Sequence, residues 1–436
     1  MREVPIPQQL NRMDQGRLRA YAENLAFYQG QQWTGPRRRN ERRLTFNYAK
    51  ALVDKTTSYL MLGRGFSVDP VEPGPEAAER ARRAEETLRR IWDENDLAQL
   101  DFDTEVDAAV LGDGAFKVTW DPQERRVRIS APDVQGLFVW WAGDDVTRVW
   151  RVASRYELSA EEAALLHGVQ PPQGRRRCTV VEVWTDRTFD LWVADRLVEA
   201  RPNPYGVIPF VIYPNLREPK QFWGVSDLPP IMEPVRELNR ALSQLSMILE
   251  LSGNPIAVLE NVTESQDIAV QPGAVWELPE RARAYLLDLL QGGGVRLHAE
   301  YVDLIYRTLH DLGESPRTAF GENRQGLSGV ALNTELDPLL KKVERKRLIR
   351  TAAYRRRNEL ILRVLEAATG ESFGRLRHRV TWGPVLPQDR SRQVGDVTAL
   401  VEAGVYSRRR AADELGVEDP ELEFRRWLEE RAAERG

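Results

Sequence analysis

A single cysteine, Cys178, excludes an internal disulfide and any cysteine-built metal cluster in this chain. Histidine is nearly as scarce. His167, His298, His310 and His378 show no H-E-x-x-H spacing, and His298 and His310 stand too far apart along a helix to share one metal. No G-x-x-x-x-G-K-[ST] occurs, which removes a P-loop. There is no run of 18 apolar residues and no charged leader followed by an apolar stretch, so neither a membrane span nor a secretory route is expected. A large charge of one sign is also missing. The net charge of −4 does not fit a protein that grips nucleic acid through a dense basic face. Of 62 basic residues only seven are lysine, the remaining 55 being arginine. That bias suits a GC-rich or thermophilic source, and equally plain codon bias.

What is present is a length of 436 residues, enough for two to four domains, with 42% hydrophobic residues to build their cores. Residues 1–30 read as helical, as do Phe46–Leu62, Glu76–Asn95 and Asp101–Leu111, the last stopped by Gly112-Asp113-Gly114. The period then changes. Ala115–Trp120, Val127–Ile129, Gly136–Trp141, Val146–Tyr156, Thr179–Trp184, Thr188–Val193, Arg196–Ala200 and Ile208–Tyr213 are short β-branched and aromatic runs between turn signals. A long helix follows, with Ile231, Val235, Leu238, Leu242, Leu245 and Leu249 in one stripe, and it stops at Gly253-Asn254-Pro255. Ile256–Glu260 and Ala274–Leu278 read as short strands. Gly292-Gly293-Gly294 opens a second helix to Leu312, striped by Leu297, Tyr301, Leu304, Ile305 and Leu309. Two striped helices thus bracket an insert of about forty residues. Residues 314–333 lack periodicity and read as a mobile loop. A charged helix from Thr334 to about Ala368 carries Pro338 early, where a kink or restart is expected. The rest reads as all-helical.

Candidate chemistry is sparse. Asp101, Asp103, Glu105 and Asp107 raise the possibility of a two-metal nuclease. Alternate spacing scatters carboxylates around a helix, so an acidic, solvated helix is the stronger reading. Cys178 follows three arginines, with no partner base in view. The run 341–357, KKVERKRLIRTAAYRRR, is the one dense basic stretch. Three readings of it stay open: contact with DNA phosphate, a solvated helix face, or a face paired with acidic residues of a neighbouring subunit.

The order of several short motifs resembles the portal proteins of tailed bacteriophages of the long-tailed kind. Carrying the resemblance are Tyr28-x-Gly30-x-x-Trp33 with Asn47, and Gly112-Asp113-Gly114-Ala115-Phe116-Lys117-Val118. Asn203-Pro204-Tyr205-Gly206 with Trp223-Gly224-Val225-Ser226-Asp227-Leu228 and Asn239 is the most specific match. Ser328-Gly329-Val330-Ala331-Leu332, Leu386-Pro387, Ala403-Gly404-Val405-Tyr406-Ser407 and Leu415-Gly416-Val417-Glu418-Asp419-Pro420 complete it. Pro229, Pro230 and Pro234, crowding the start of the first long helix, depart from the pattern.

The resemblance implies an α+β portal fold. Residues 1–225 would be an α+β wing, 226–252 the first stem helix, 253–291 a small β-containing clip and 292–313 the second stem helix. Residues 314–333 would be the tunnel loop, 334–378 a long wing helix kinked near Pro338, and 379–436 an all-helical crown. It implies a homo-oligomeric ring, usually of twelve copies, around a channel for double-stranded DNA. It also implies no enzymatic activity, cofactor or metal, and residence at the portal vertex of the virion after assembly in the host cytoplasm. The partners implied are the terminase packaging motor, a head–tail adaptor, and the major capsid and scaffolding proteins. Asn323, Arg324, Gln325, Leu327, Ser328, Val330 and Asn333 would face the DNA channel. Ile231, Val235, Leu238, Leu242, Leu245, Leu249, Leu297, Tyr301 and Leu304 would pack the stem and join subunits. The alternatives are a metal-dependent nuclease using Asp101 and Asp103, and a helical scaffold or adaptor without a DNA channel.

Overall fold

The computed structural model describes residues 5–39, 41–169, 176–253, 256–261, 281–287, 294–322, 329–385, 390–417 and 420–433. In chain order the helices are α1 (Ile6–Leu10), α2 (Gln15–Tyr28), α3 (Tyr48–Leu60), α4 (Pro75–Glu94), α5 (Leu97–Leu111), α6 (Ala160–His167), α7 (Pro229–Gly253), α8 (Gly294–Leu312), α9 (Gly329–Thr369), α10 (Arg390–Glu402), α11 (Arg408–Glu414) and α12 (Pro420–Ala433). The strands are β1 (Gly65–Pro70), β2 (Asp113–Asp121), β3 (Arg126–Ser130), β4 (Leu137–Ala142), β5 (Asp145–Ser159), β6 (Arg177–Trp184), β7 (Thr188–Val193), β8 (Arg196–Pro202), β9 (Phe210–Pro214), β10 (Ile256–Glu260), β11 (Arg283–Leu287) and β12 (Leu376–Thr381). The mixed α+β class is as expected, and all eight runs from Ala115 to Tyr213 are strands. The chain divides into two compact units.

The first unit comprises Met1–Glu23, Val53–Asp227 and Leu327–Gly436. Its antiparallel meander β4-β5-β6-β7-β8 follows chain order, because short turns place successive strands side by side. A second sheet has the order β3-β2-β9. On it lies the main core: Ala81, Ala84, Leu88 and Ile91 of α4, at helical spacing, against Phe116, Val118, Val211 and Tyr213 of the sheet and Tyr354, Ile361, Val364 and Leu365 of α9. α9 runs 41 residues with Pro338 inside it, so the helix does not restart there.

The third sheet was not foreseen. β1 and β12 pair antiparallel from Gly65↔Thr381 to Pro70↔Leu376. This corrects the all-helical reading of the segment that follows the long helix, which itself ends at Thr369, next to the expected Ala368. α6 was also missed. Its start is fixed by a capping box, Ser159 accepting from the Glu162 N–H while Glu162 accepts from the Ser159 N–H.

The second unit comprises Asn24–Leu52 and Leu228–Gly326. α7 and α8 pack side by side. His298 reaches Ala241 and Tyr301 reaches Glu237, so the residue numbers run in opposite directions and the pair is antiparallel. Pro229 and Pro230 are the first two residues of α7, where the missing N–H groups would have no helical acceptor anyway. β10 pairs with β11 from Ile256↔Leu287 to Glu260↔Arg283. The partner of Ile256–Glu260 is therefore Arg283–Leu287, and the expected strand at residues 274–278 lies outside the described residues. The stretch 314–333 is more regular than expected, with a 3-10 turn at Arg317–Phe320 and helix from Gly329.

Candidate functional site

Motif residues far apart in sequence meet within each unit. In the first, the turn between α5 and β2 interlocks with the Gly-Val-Ser-Asp turn after β9. Asp113 is fully buried. Its Oδ1 accepts the Gly224 N–H at 2.8 Å and its Oδ2 accepts the Tyr21 hydroxyl. Burial pushes the Asp113 carboxyl up to about 6, against the pull of those two donors. Ser226 Oγ and the Asp227 N–H both donate to the Ala109 carbonyl. The glycines are steric requirements here. A Cβ on Gly224 would lie 2.5 Å from the Gly112 carbonyl oxygen, and one on Gly114 would lie 2.5 Å from the Tyr213 ring. Gly112 also takes φ +114°, a region side chains avoid.

One face of α9 continues this lock as a buried row of cations. Lys342, Lys346, Arg350 and Arg357 stand at intervals of four, four and seven, which places them on one stripe. Lys346 Nζ donates to Asp227 and, at 2.8 Å, to Asn215 Oδ1. Arg350 grips Glu105 with two bonds at 2.9 and 3.0 Å and also reaches the Asn215 side chain. Asp101 takes Arg357 and Arg64. Asp101, Glu105, Arg350 and Arg357 are each 0% exposed. Burial alone would raise the Asp227 carboxyl, but the ammonium groups of Lys342 and Lys346 overcome it and hold the group well below the usual carboxylate range. Burial pushes Lys346 down to about 8, which leaves it charged at neutral pH.

This row corrects two expectations. These members of the basic run 341–357 are neither a solvated face nor free for phosphate, because carboxylates of the same chain pair them. The α5 carboxylates are not simply solvated either. Asp101 and Glu105 are four apart, hence on one face, and that face is inward. Asp103 is exposed and accepts from Gln99. Asp101, enclosed by two guanidiniums, has no room for a metal, so a nuclease pair Asp101–Asp103 does not form.

The second unit holds a smaller polar lock. Asn239 of α7 accepts the Phe46 N–H at 2.7 Å and donates to Gln32 Oε1 at 2.6 Å. Gln32 donates to Asn47 Oδ1, and Asn47 donates to the Tyr28 carbonyl, both at 2.8 Å. Ser243 accepts the Leu44 N–H and donates to the Asn239 carbonyl. Asn47 and Asn239, singled out by motif, thus belong to one network that straps residues 44–47 onto α7.

The stripe residues of α7 and α8 divide by exposure. Ile231, Val235 and Leu238 are buried within the chain, whereas Leu242 and Leu245 are half-buried. Leu249 is 51% exposed, and Leu297, Tyr301 and Leu304 on one side of α8 are 69, 44 and 60% exposed. Of the residues expected to face a channel, Asn323, Arg324, Gln325, Leu327 and Ser328 lie outside the described residues. Val330 and Asn333 belong to the first turns of α9. Among the described residues no helix is long and apolar enough to cross a membrane.

A family model described as "Phage portal protein, SPP1 Gp6-like" matches residues 8–436. No curated protein matches the chain.

Proposed function

The chain belongs to the SPP1 Gp6-like family of phage portal proteins, and from that premise we propose how its parts serve the DNA-packaging portal of the capsid vertex. The protein is structural and not an enzyme, and the family assembles as an oligomeric ring. We assign α7 and α8 to the stem, the β10–β11 pair to the clip, residues 1–225 with α9 to the wing and α10–α12 to the crown. The observation that carries this is the α8 stripe. Leu297, Tyr301 and Leu304 sit at intervals of four and three, exposed together on a helix whose other face is already covered. Closing a ring of identical copies, twelve in our reading, gives each stripe a neighbour to pack against, since contacts of this kind close when the rotation divides the circle. The clip is the docking surface for the terminase motor and the head–tail adaptor, and the rim of the wing meets capsid and scaffolding proteins.

Transport of DNA requires weak contacts. Each phosphate held by a fixed cation adds to affinity and resists sliding. A chain of net charge −4, with part of its densest basic run neutralised internally, suits a conduit. We assign residues 314–333 to the tunnel loop at the channel. Electron microscopy of the purified protein tests the assignment. Rings with a hole wide enough for a duplex are expected, and monomers or dimers under every condition tried would overturn it. Deleting residues 326–328 tests the loop: rings should form normally while DNA packaging falls, and full packaging would remove the loop from the channel.

A further inference from the structure

A cavity of about 620 Å³ opens in the first unit beside the five-stranded sheet. Four arginines from three elements line it: Arg148 of β5, Arg217 after β9, and Arg356 and Arg363 of α9. The carboxylates among its walls are Glu359 and Asp186. Arg356 and Arg363 are seven residues apart, two turns along one face of α9. Among the described residues, Arg356 donates only from Nε to the Ala352 carbonyl of its own helix. Enclosure of its guanidinium and the neighbouring cations Arg217 and Arg355 lower its pKa, with Glu359 acting against them. The rest of the wall is apolar and aromatic, including Trp150, Ile208 and Phe222.

The backbone around the cavity is equally incomplete. β5 begins at Asp145, but its pairing with β6 begins only at Val152↔Trp184, so among the described residues its earlier part has no strand partner on that side. Among the described residues β9 pairs with β2 alone and is the edge of its sheet. Residues 146–149 of β5 and 210–214 of β9 both line the cavity. An unpaired edge is a template for an added strand, and recognition by strand addition takes affinity from the backbone and selectivity from alternate side chains. A cavity of this volume accepts side chains and a single extended segment, not a duplex.

We propose that this cavity is a docking site for an acidic, extended peptide segment of a partner protein, which adds as a strand along β5 or β9 and places alternate carboxylates against Arg148, Arg217, Arg356 and Arg363. The bidentate match of guanidinium to carboxylate supplies the selectivity. The apolar residues between those carboxylates meet Trp150, Ile208 and Phe222, because successive side chains of a strand point to opposite sides.

The test uses the full chain and a fluorescein-labelled heptapeptide of alternating glutamate and valine, read by anisotropy. Saturable binding is expected. It should weaken at least tenfold in Arg356→Glu/Arg363→Glu, and at least tenfold when alternate peptide nitrogens carry methyl groups. Both arginines are exposed at the surface of α9, so the double variant should keep its fold; if it does not, Arg363→Gln alone should weaken binding at least threefold. Four outcomes would overturn the proposal. These are no saturable binding, equal binding of the lysine–valine peptide, equal binding by the folded arginine variant, and equal displacement by a heptanucleotide, which would make the cavity a phosphate site. Binding to dissociated chains but not to assembled rings would also overturn it, by showing that an adjoining copy fills the cavity.

Discussion

Arg350 and Glu105 lie 245 residues apart in the chain and form a two-pronged ion pair with neither side chain exposed to solvent. Tyr213 donates to the same carboxylate at 3.1 Å, and Arg350 also reaches the Asn215 carbonyl. The pair therefore ties α5, the segment after β9 and α9 together at the centre of the first unit.

Breaking this pair from one side strands a buried charge. Arg350→Met should cost about 3–5 kcal/mol of stability. Glu105→Gln/Arg350→Met should recover part of that loss, since no unpaired charge then remains. Denaturant unfolding of both variants checks this; a loss under about 1 kcal/mol for the single variant would contradict it.

The interlocked turns leave no space for a methyl group. Gly224→Ala brings a Cβ against the Gly112 carbonyl, and a shift of both turns should cost about 1–3 kcal/mol or more. Gly206→Ala meets no neighbour, though its φ of +64° makes it mildly strained, so it should cost less. Thermal melts of the two variants side by side decide the point.

The exposed residues of the α8 stripe and the buried first half of the α7 stripe should respond oppositely. Leu304→Asp should leave the subunit within about 0.5 kcal/mol of its original stability, as surface changes do, while abolishing rings in native mass spectrometry. Leu238→Asp, at 1% exposure, should prevent folding of the second unit outright. Normal rings from Leu304→Asp would remove α8 from the subunit contact.

His378 should make the first unit sensitive to acid. It is buried on β12 opposite Val68, and burial, aided by Arg355, pulls its pKa down to about 4. The unfolded chain binds a proton near 6.5 and the folded chain does not until about 4. Stability is therefore lost as pH falls through that window, by at most about 1.4 kcal/mol per unit. His378→Gln should flatten this part of the profile, seen as the difference between variant and original in melts from pH 7 to 4.5. An unchanged slope would show that His378 is not the group responsible.

Periodicity alone determined the strands from β2 to β9 and the two striped helices. Alternation and helical stripes are local consequences of one face being buried, and need no knowledge of what buries it. Short ordered motifs likewise led to the portal family, although what their glycines and asparagines do, at contacts such as Gly224 with Gly112 and Asn239 with Phe46, appeared only in the fold. Tertiary structure alone decided the rest. β1 and β12 are six-residue segments some three hundred positions apart, each too short and too polar to declare itself without its partner. The basic run of α9 and the acidic face of α5 read as solvated charge, because a lysine or glutamate has the same local pattern facing water or facing a counterion. Only the fold, by bringing Asp101, Glu105 and Asp227 to Arg357, Arg350 and Lys346, made those charges interior ones, and in doing so removed part of the one stretch that looked ready to hold DNA.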